Sequence, residues 1–493
     1  MKRYVWIFVA ALAVEVAGIP GAAADEFRIW TTAGGRRSDV RLKLVEQTPS
    51  AVRLQREDNG KIVSLPKTGL SSQDRTFLKS LSTPPVPNQD ADGDGSSAAD
   101  SQWSQWRGAN RDGSSSETGL LDTWPAGGPP QLWNVTGLGE GYSTPSVSGG
   151  DVFVLGTRGD EERLFCLSLA DGSTRWSAPL GRKAGGGGYP GPRGTPTVDG
   201  QLVYAIGSDG TLVCVDREAG QPKWRKHLER DFSGQHGHWD YAESPLVDGD
   251  KLICTPGGPT ATMVALNKNT GAVIWSGSAA ELGNDYTTAS YASPIVAQFG
   301  GSRQYVAFLH RGVVGFDAST GRALWHYDAP ANQTANCSTP IVADNAVFAA
   351  SGYGVGGGKA TVRGSGMRWT VTEDYFVRTF RIHHGGFVLV DGFLYGANDS
   401  VLLCVDWKSG QVRWKDRSVG KGSISYADGH LYVRGEGGDL ALVKASPETY
   451  VEKGRFRQPD RSDKNAWPHP VISNGRLLLR DQDRMLCYDI RQP

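Results

Sequence analysis

The sequence is poor in the features that usually announce chemistry. Its 493 residues hold six cysteines, no two of them adjacent and none in a Cys-x-x-Cys pair, so spacing encodes neither a thiol redox motif nor a thiolate zinc site. Charge of one sign is not in excess: 52 Lys+Arg against 52 Asp+Glu leave +0, which excludes the basic footprint of a nucleic-acid binder. Neither Gly-x-Ser-x-Gly nor His-Glu-x-x-His occurs, removing a hydrolase elbow and a zinc-protease helix. Gly352-x-Gly354-x-x-Gly357 has the form of a dinucleotide loop, but no helical pattern follows it. Amphipathic helical periodicity is almost absent throughout, and beyond residue 24 no run is apolar enough to span a bilayer.

What is abundant is turn chemistry. Gly 65 and Pro 26, with Trp 15, go with short β-branched and aromatic runs broken at Asp-Gly and similar pairs, the pattern of hairpins. An all-β protein is expected. Residues 1–24 have the form of a secretory signal: Lys2-Arg3, the apolar Tyr4–Ala17, then Ala22-Ala23-Ala24. Glu15 interrupts the apolar part, which leaves a retained anchor as the alternative to cleavage. No Cys follows the apolar stretch, so a lipoprotein is not expected. The protein is expected to be exported, periplasmic or extracellular, and a monomer. Residues 25–82 alternate in short strands around Asp58-Asn59-Gly60, as a small antiparallel barrel would. Residues 83–102, TPPVPNQDADGDGSSAADSQ, have nothing to bury and read as a disordered linker.

From Trp103 onward the chain repeats itself. The stretch TPTVDGQLVYAIGSDGTLVCVDREAGQPKW (195–224) recurs in altered form, its Thr/Ser-Pro anchor returning at Pro145, Pro196, Pro245, Pro294 and Pro340, 46 to 51 residues apart. Later copies around Gly392, Gly429 and Gly475 lose the Pro and keep the strands. Eight copies of four short strands predict an eight-bladed β-propeller at 103–493. The last copy stops before its fourth strand, while an orphan Leu132-Trp133 strand precedes the first complete copy. Trp133 is therefore expected to close the ring from the N-terminal side. Cys166, Cys214 and Cys404 each stand ten residues before a Trp, in a column that Ala265 and Gly315 also occupy. Such cysteines are expected to be free and to pack as small hydrophobes.

The end of each copy carries a specific motif: Ala170-Asp171-Gly172 before Trp176, Glu218-Ala219-Gly220 before Trp224, Asn269-Thr270-Gly271 before Trp275, Ser319-Thr320-Gly321 before Trp325, and Lys408-Ser409-Gly410 before Trp414. It resembles the tryptophan-docking repeat of the quinoprotein (PQQ) propellers and of their non-catalytic relatives of the BamB type. The resemblance implies that Trp133, Trp176, Trp224, Trp275, Trp325 and Trp414 pack against neighbouring blades rather than around a cofactor. Enzymes of that family commonly carry an adjacent Cys-Cys pair, calcium ligands and an Asp base, and the Cys-Cys pair has no counterpart here. Arg28-x-Trp30, Asn59-Gly60 and Leu70-Ser71-x-x-Asp74-Arg75 resemble the SH3-like homology domain of yeast endocytic adaptors, which binds short peptides.

Residues entering the innermost strand of every blade should gather at one mouth of the channel. Taken just before each anchor they are Tyr142, Arg193, Tyr241, Glu243, Tyr291, Asn336, His383, His384, Lys421 and His469. Aromatic, imidazole and cationic groups converging there predict a ligand site, for a protein or peptide partner, possibly of the envelope, or a carbohydrate-like or other anionic ligand. The same groups could simply fill the channel. His236, His238 and Asp240 on a Gly-rich loop are read as loop polarity rather than metal ligands. No catalytic residue, metal or cofactor is assigned. The expected function is an exported, non-catalytic binding scaffold joined to an SH3-like module. The alternative is a PQQ- and calcium-dependent oxidoreductase acting on an alcohol or sugar.

Overall fold

The structure is a computed structural model describing residues 103–493 except 284–285 and 385, and, before them, residues 30, 38–47, 51–66, 68, 70, 74 and 78. The signal stretch 1–24 and the linker 83–102 lie outside the described residues. Contacts divide the chain into two units, 1–95 and 96–493.

In the first unit Leu42–Gln47, Ala51–Arg56 and Ile62–Pro66 form a three-stranded antiparallel sheet in chain order. Alternation puts Leu42, Leu44, Val52 and Leu54 on one face, where Trp30, Leu70 and Leu78 cover them. Trp30 donates its indole N–H to the Leu42 carbonyl at 2.9 Å. The sheet fits a small SH3-like module.

The second unit is an eight-bladed β-propeller. Among its described residues there are eight four-stranded antiparallel sheets. Blades 1 to 7 start at Ser146–Ser148, Thr197–Asp199, Leu246–Asp248, Ile295–Phe299, Ile341–Ala343, Phe387–Val390 and Gly422–Ala427, and each runs outward in sequence. Blade 8 has Val471–Ser473, Arg476–Asp481 and Arg484–Asp489, and its outermost strand is Gln131–Val135 from the other end of the unit. Cys487 pairs with Trp133 as Cys214 pairs with Trp224, so the orphan strand does close the ring.

Apolar clusters lie between blades rather than within them. Phe153, Leu155 and Leu164 of blade 1 meet Val203, Ala205 and Val213 of blade 2, and a corresponding cluster fills each of the other seven junctions. The docking motif is a small capping device. Asp216 ends the third strand of blade 2 and accepts the backbone N–H groups of Glu218 and Ala219. That turn leaves the carbonyl of the next residue, Arg217, for the Trp176 indole of blade 1 at 2.9 Å. Gly220 has φ +67° and sits so close to that indole that a Cβ would meet it at 2.5 Å. Trp133, Trp224, Trp275 and Trp414 repeat the bond on Leu169, Lys268, Ala318 and Ser446.

Three blades depart from the pattern. Blade 5 has no capping turn but a long hairpin, Gly356–Ser365 and Arg368–Val377. Trp325 of blade 4 packs against blade 5 yet bonds Gln304 of its own blade at 2.7 Å. In blade 5 Tyr375 takes the wedge position, donating its hydroxyl to Trp407 O at 3.0 Å. Blade 7 has Gly454 where others have Trp, paired with Leu442. Trp124, from outside the repeats, fills that space: a Cβ on Gly454 would lie 2.5 Å from it. Trp124 packs on Phe456 at 5.2 Å and Tyr432 at 5.9 Å.

The six cysteines are free, five buried and Cys337 half-buried. Burial pushes the thiols of Cys166, Cys214 and Cys487 up to about 12. They are packing residues.

Candidate functional site

The Thr/Ser-Pro anchors build the channel wall. Thr195 N–H donates to Ser244 Oγ at 2.8 Å and Ser244 N–H to Ser293 Oγ at 2.9 Å, each reaching the next blade. His469 N–H closes the same kind of step on Thr144 Oγ1 at 3.0 Å. Through this wall runs a plug that the repeats did not reveal. Trp103 bridges Val147 of blade 1, and Ser104 O accepts from Val198 of blade 2. Arg111, 3% exposed, donates to the carbonyls of Ser244, Pro245 and Pro294, at the anchors of blades 3 and 4. Trp106 bonds Thr339 Oγ1 at 2.8 Å, Arg107 reaches Phe387 O, and Ser115 N–H reaches Tyr426 O. Residues 103–115 thus bond to seven blades, with Trp103 and Trp106 packing on the eighth, and block the channel. Burial lowers Arg107 to about 10 and Arg111 to about 9, with Asp112 and Glu243 as the respective opposing charges. Both guanidiniums stay charged at neutral pH.

Against this plug lies a cavity of ≈ 260 Å³. Of the ten rim residues expected from sequence, Tyr142, Arg193, Tyr291, His383, His384, Lys421 and His469 line it. Three do not. Tyr241 and Glu243 point into the structure beside the cavity, Tyr241 bonding Pro256 O at 2.9 Å and Glu243 Oε1 accepting from Thr255 N–H at 2.6 Å. The left-handed φ of Asp240, +62°, turns the chain so that Trp239, not Tyr241, faces the cavity. Asn336 is spent on local structure, its amide donating to Leu309 O and His310 O while Oδ1 accepts from Asn332 N–H. Its neighbour Cys337 lines the cavity instead. The other lining groups not expected from sequence are chiefly Trp106, Tyr189, Trp239, Tyr353, Glu436, Asn465 and Trp467. Trp239 and Trp467 stand two residues before positions that were chosen, so the aromatic signal was present in the wrong register.

The cavity is an aromatic box with one acidic corner. Trp467 has Tyr142 at 4.5 Å, Tyr189 at 4.9 Å and a stacked His384 at 5.3 Å. Trp239 meets Tyr291 edge-on at 5.7 Å, and Trp106 tilts on His469 at 4.6 Å. Glu436 Oε1 accepts from His384 Nε2 at 2.6 Å and the Trp467 indole at 2.7 Å, with Lys421 Nζ at 3.5 Å. Burial alone would raise its carboxyl, but these donors hold it down at about 2. Burial lowers His384 despite Glu436, so this pair is best described as an ionised carboxylate accepting from a neutral imidazole. His469 is pushed down to about 3 by burial and the nearby Arg107. His383 is lowered by burial and Lys421, and its Nε2 lies 2.8 Å from Asp399. Arg193 spends its guanidinium on the carbonyls of Gly186, Tyr189 and Trp239, fixing the Gly-rich loop that carries Tyr189. Asp240, which accepts from Gly186 N–H at 2.6 Å, is the acid that most opposes the lowering of Arg193 by burial.

The donor set does not fit a calcium-assisted quinone. Glu436 is the one carboxylate among the described cavity residues, and one of its oxygens is already taken by His384, Lys421 and Trp467. A hard cation needs six or more oxygens around it. His236, His238 and Asp240 do not converge: His236 turns to Glu229 at 2.9 Å, Asp240 holds Gly186, and His238 packs on Trp239 at 5.2 Å. Among the described residues no three His, Cys, Asp or Glu side chains gather to hold a metal.

Comparison with known proteins agrees with the fold. At 29% identity over 161 residues the chain matches the serine/threonine-protein kinase AfsK of Streptomyces griseus, covering 32% of this chain. It spans only 18% of the length of that curated relative. Among solved structures, BamB from Moraxella catarrhalis aligns with TM-score 0.53 at 13% identity, over 74% of this chain and 98% of that one. A quinohemoprotein alcohol dehydrogenase from Pseudomonas putida HK5 gives 0.58 at 12%, and one from Comamonas testosteroni gives 0.55 at 12%, each over 80% of this chain and 81% of theirs. At such identities the likeness speaks for the fold alone. Residues 124–231 and 160–416 match the family described as outer membrane protein assembly factor BamB. That match extends over more than half of the sequence, and the chain belongs to this family of PQQ-like β-propellers.

Proposed function

We propose that this propeller is an exported, non-catalytic binding protein whose recognition site is the aromatic cavity at the channel mouth, with the 25–82 module as a second binding unit on the 83–102 tether. Two sites on one chain raise the effective concentration for a partner that engages both. The observation that carries the reading is the state of the cavity's titratable groups. The carboxylate of Glu436 is held near 2 by three donors, and burial keeps His384 and His469 neutral. Recognition needs what is there: ring faces, fixed dipoles and a shielded charge. The family's description as an outer membrane protein assembly factor favours an envelope setting, with a protein partner or a carbohydrate-like ligand there.

The test is a thermal-shift panel of soluble peptides and glycans on the full chain. Ligands that stabilise the native protein should lose at least most of that effect on His384→Ala and Glu436→Gln. If they bind these variants unchanged, the cavity is not the site. Incubation with PQQ and calcium tests the oxidoreductase alternative, and a stoichiometric quinone absorbance with dye reduction by an alcohol or sugar would refute the binding reading.

A further inference from the structure

One cation of the cavity has donors to spare, and the cavity's walls are not flat. Both features narrow what it holds. Among the described residues Lys421 is the one cation on the wall with ammonium hydrogens to spare, since its ion pair with Glu436 is a single contact at 3.5 Å. The fixed guanidinium of Arg193 stands on the same wall, and that of Arg111 lies buried in the plug, both bonded to backbone carbonyls. Against them stand Glu436 on the wall, Asp240 behind Arg193, Glu243 beside Arg111 and Asp399 at 2.8 Å from His383. The spare donors at Lys421 favour an anionic group on the ligand.

The ring geometry selects the rest of the ligand. Here His384 stacks on Trp467, and the other wall rings are inclined to their neighbours: Trp106 and His469 by 57°, Trp239 and Tyr291 by 65°, Tyr142 and Trp467 by 33°. Tilted walls suit a puckered ring that shows C–H bonds on its faces and polar groups around its edge. Edge partners are present: Lys421, the Asn465 amide and Glu436 Oε2, the oxygen that makes none of the three bonds above. At ≈ 260 Å³ the cavity is just below the roughly 300–1,000 Å³ of drug-sized pockets. It is blocked below by the plug, which excludes a threaded peptide. Peptides need a groove or a free strand edge instead.

We propose that the mouth cavity binds a single acidic sugar ring, its carboxylate at the spare donors of Lys421 and its ring among the aromatic walls. This rests on the reading of the cavity as a recognition site and adds the ligand class. The test is isothermal titration of the full chain with glucuronate, with tryptophan emission as a second readout. Glucose, phenylacetate and a short acidic peptide are titrated beside it. Glucuronate should bind saturably, and glucose roughly ten- to a hundredfold more weakly, the worth of one hydrogen bond to a charged group. Lys421→Gln should bring glucuronate to the affinity of glucose, and Lys421→Arg should restore part of the difference, with both variants melting like the parent. Equal binding of glucose and glucuronate overturns the acidic part and leaves the cavity reading standing. Tighter binding of phenylacetate or of the acidic peptide overturns the sugar and again leaves the cavity reading standing. If none of the four binds, the proposal is overturned, and if no member of the wider panel responds to His384→Ala either, the cavity reading falls with it.

Discussion

Trp124 offers a sharp test of how the ring is locked. The residue lies outside the repeats, is 4% exposed, and fills the space over Gly454 where blade 7 has no tryptophan of its own. Trp124→Ala should therefore cost as much as removing a repeat tryptophan, about 3–5 kcal/mol for a large buried aromatic. The truncation to Phe separates the two kinds of wedge. The Trp224 indole N–H donates to Lys268 O at 2.9 Å, so Trp224→Phe loses a hydrogen bond worth about 1 kcal/mol and strands a carbonyl, for a total of roughly 1–3 kcal/mol. The Trp124 N–H finds no acceptor among the described residues, so Trp124→Phe relieves a buried unpaired donor and should be neutral within about 1 kcal/mol despite the smaller ring. Urea denaturation followed by far-UV circular dichroism reads both from the midpoint at constant slope. If Trp124→Ala stays within about 0.5 kcal/mol of the parent, in the range of an ordinary surface change, Trp124 is not the eighth blade junction's wedge.

Further predictions follow from the same structure. Gly220→Ala combines a left-handed φ of +67° with a Cβ 2.5 Å from the Trp176 ring, and should destabilise by about 1–3 kcal/mol, measured by the same denaturation. Glu243 has a carboxyl raised by burial to about 7, partly opposed by Thr255 and Arg111. A raised acid stabilises the fold at low pH and loses that contribution as pH rises from about 4.5 towards 7. Glu243→Gln should therefore flatten the fall in melting temperature between pH 5 and pH 8, and an unchanged pH profile would contradict the assignment. Glu436 has the opposite sign: held down at about 2, it stabilises above about pH 4.5 and loses this contribution as pH falls towards 2. Arg111→Met leaves the carbonyls of Ser244 and Pro294 without this donor and that of Pro245 with the Thr197 hydroxyl alone, and should cost about 3–5 kcal/mol, with the cavity's ligand response lost as Trp106 is released.

The repeat was legible because each blade solves the same packing problem with the same residues. Small side chains opposite Trp, a turn-capping Asp and a Gly under the neighbouring indole recur at fixed offsets, and even the closing strand could be counted out. What was hidden is what occurs once. The plug at 103–115 has no periodicity, and its function depends on Arg107 and Arg111 meeting carbonyls more than a hundred residues away. Tyr375 and Trp124 replace tryptophans by position in space and leave no mark in the spacing. At the mouth the right loops were found but the register was off, because Asp240 in a left-handed conformation exchanges Trp239 for Tyr241. Glu436 was missed for another reason: it follows the second strand of blade 7, His430–Gly435, and not the approach to an innermost strand.

The account's central claim is that ligands are recognised inside the mouth cavity, and Cys337 tests it most directly. Its thiol lines the cavity while the other five are buried between strands, and burial pushes it up to about 12, so native alkylation should be slow and confined to this residue. Any ligand that raises the melting temperature should slow Cys337 alkylation in proportion to the fraction bound, as measured by peptide mass mapping over a titration. A ligand that binds and stabilises the protein while Cys337 reacts at its free rate would contradict the claim.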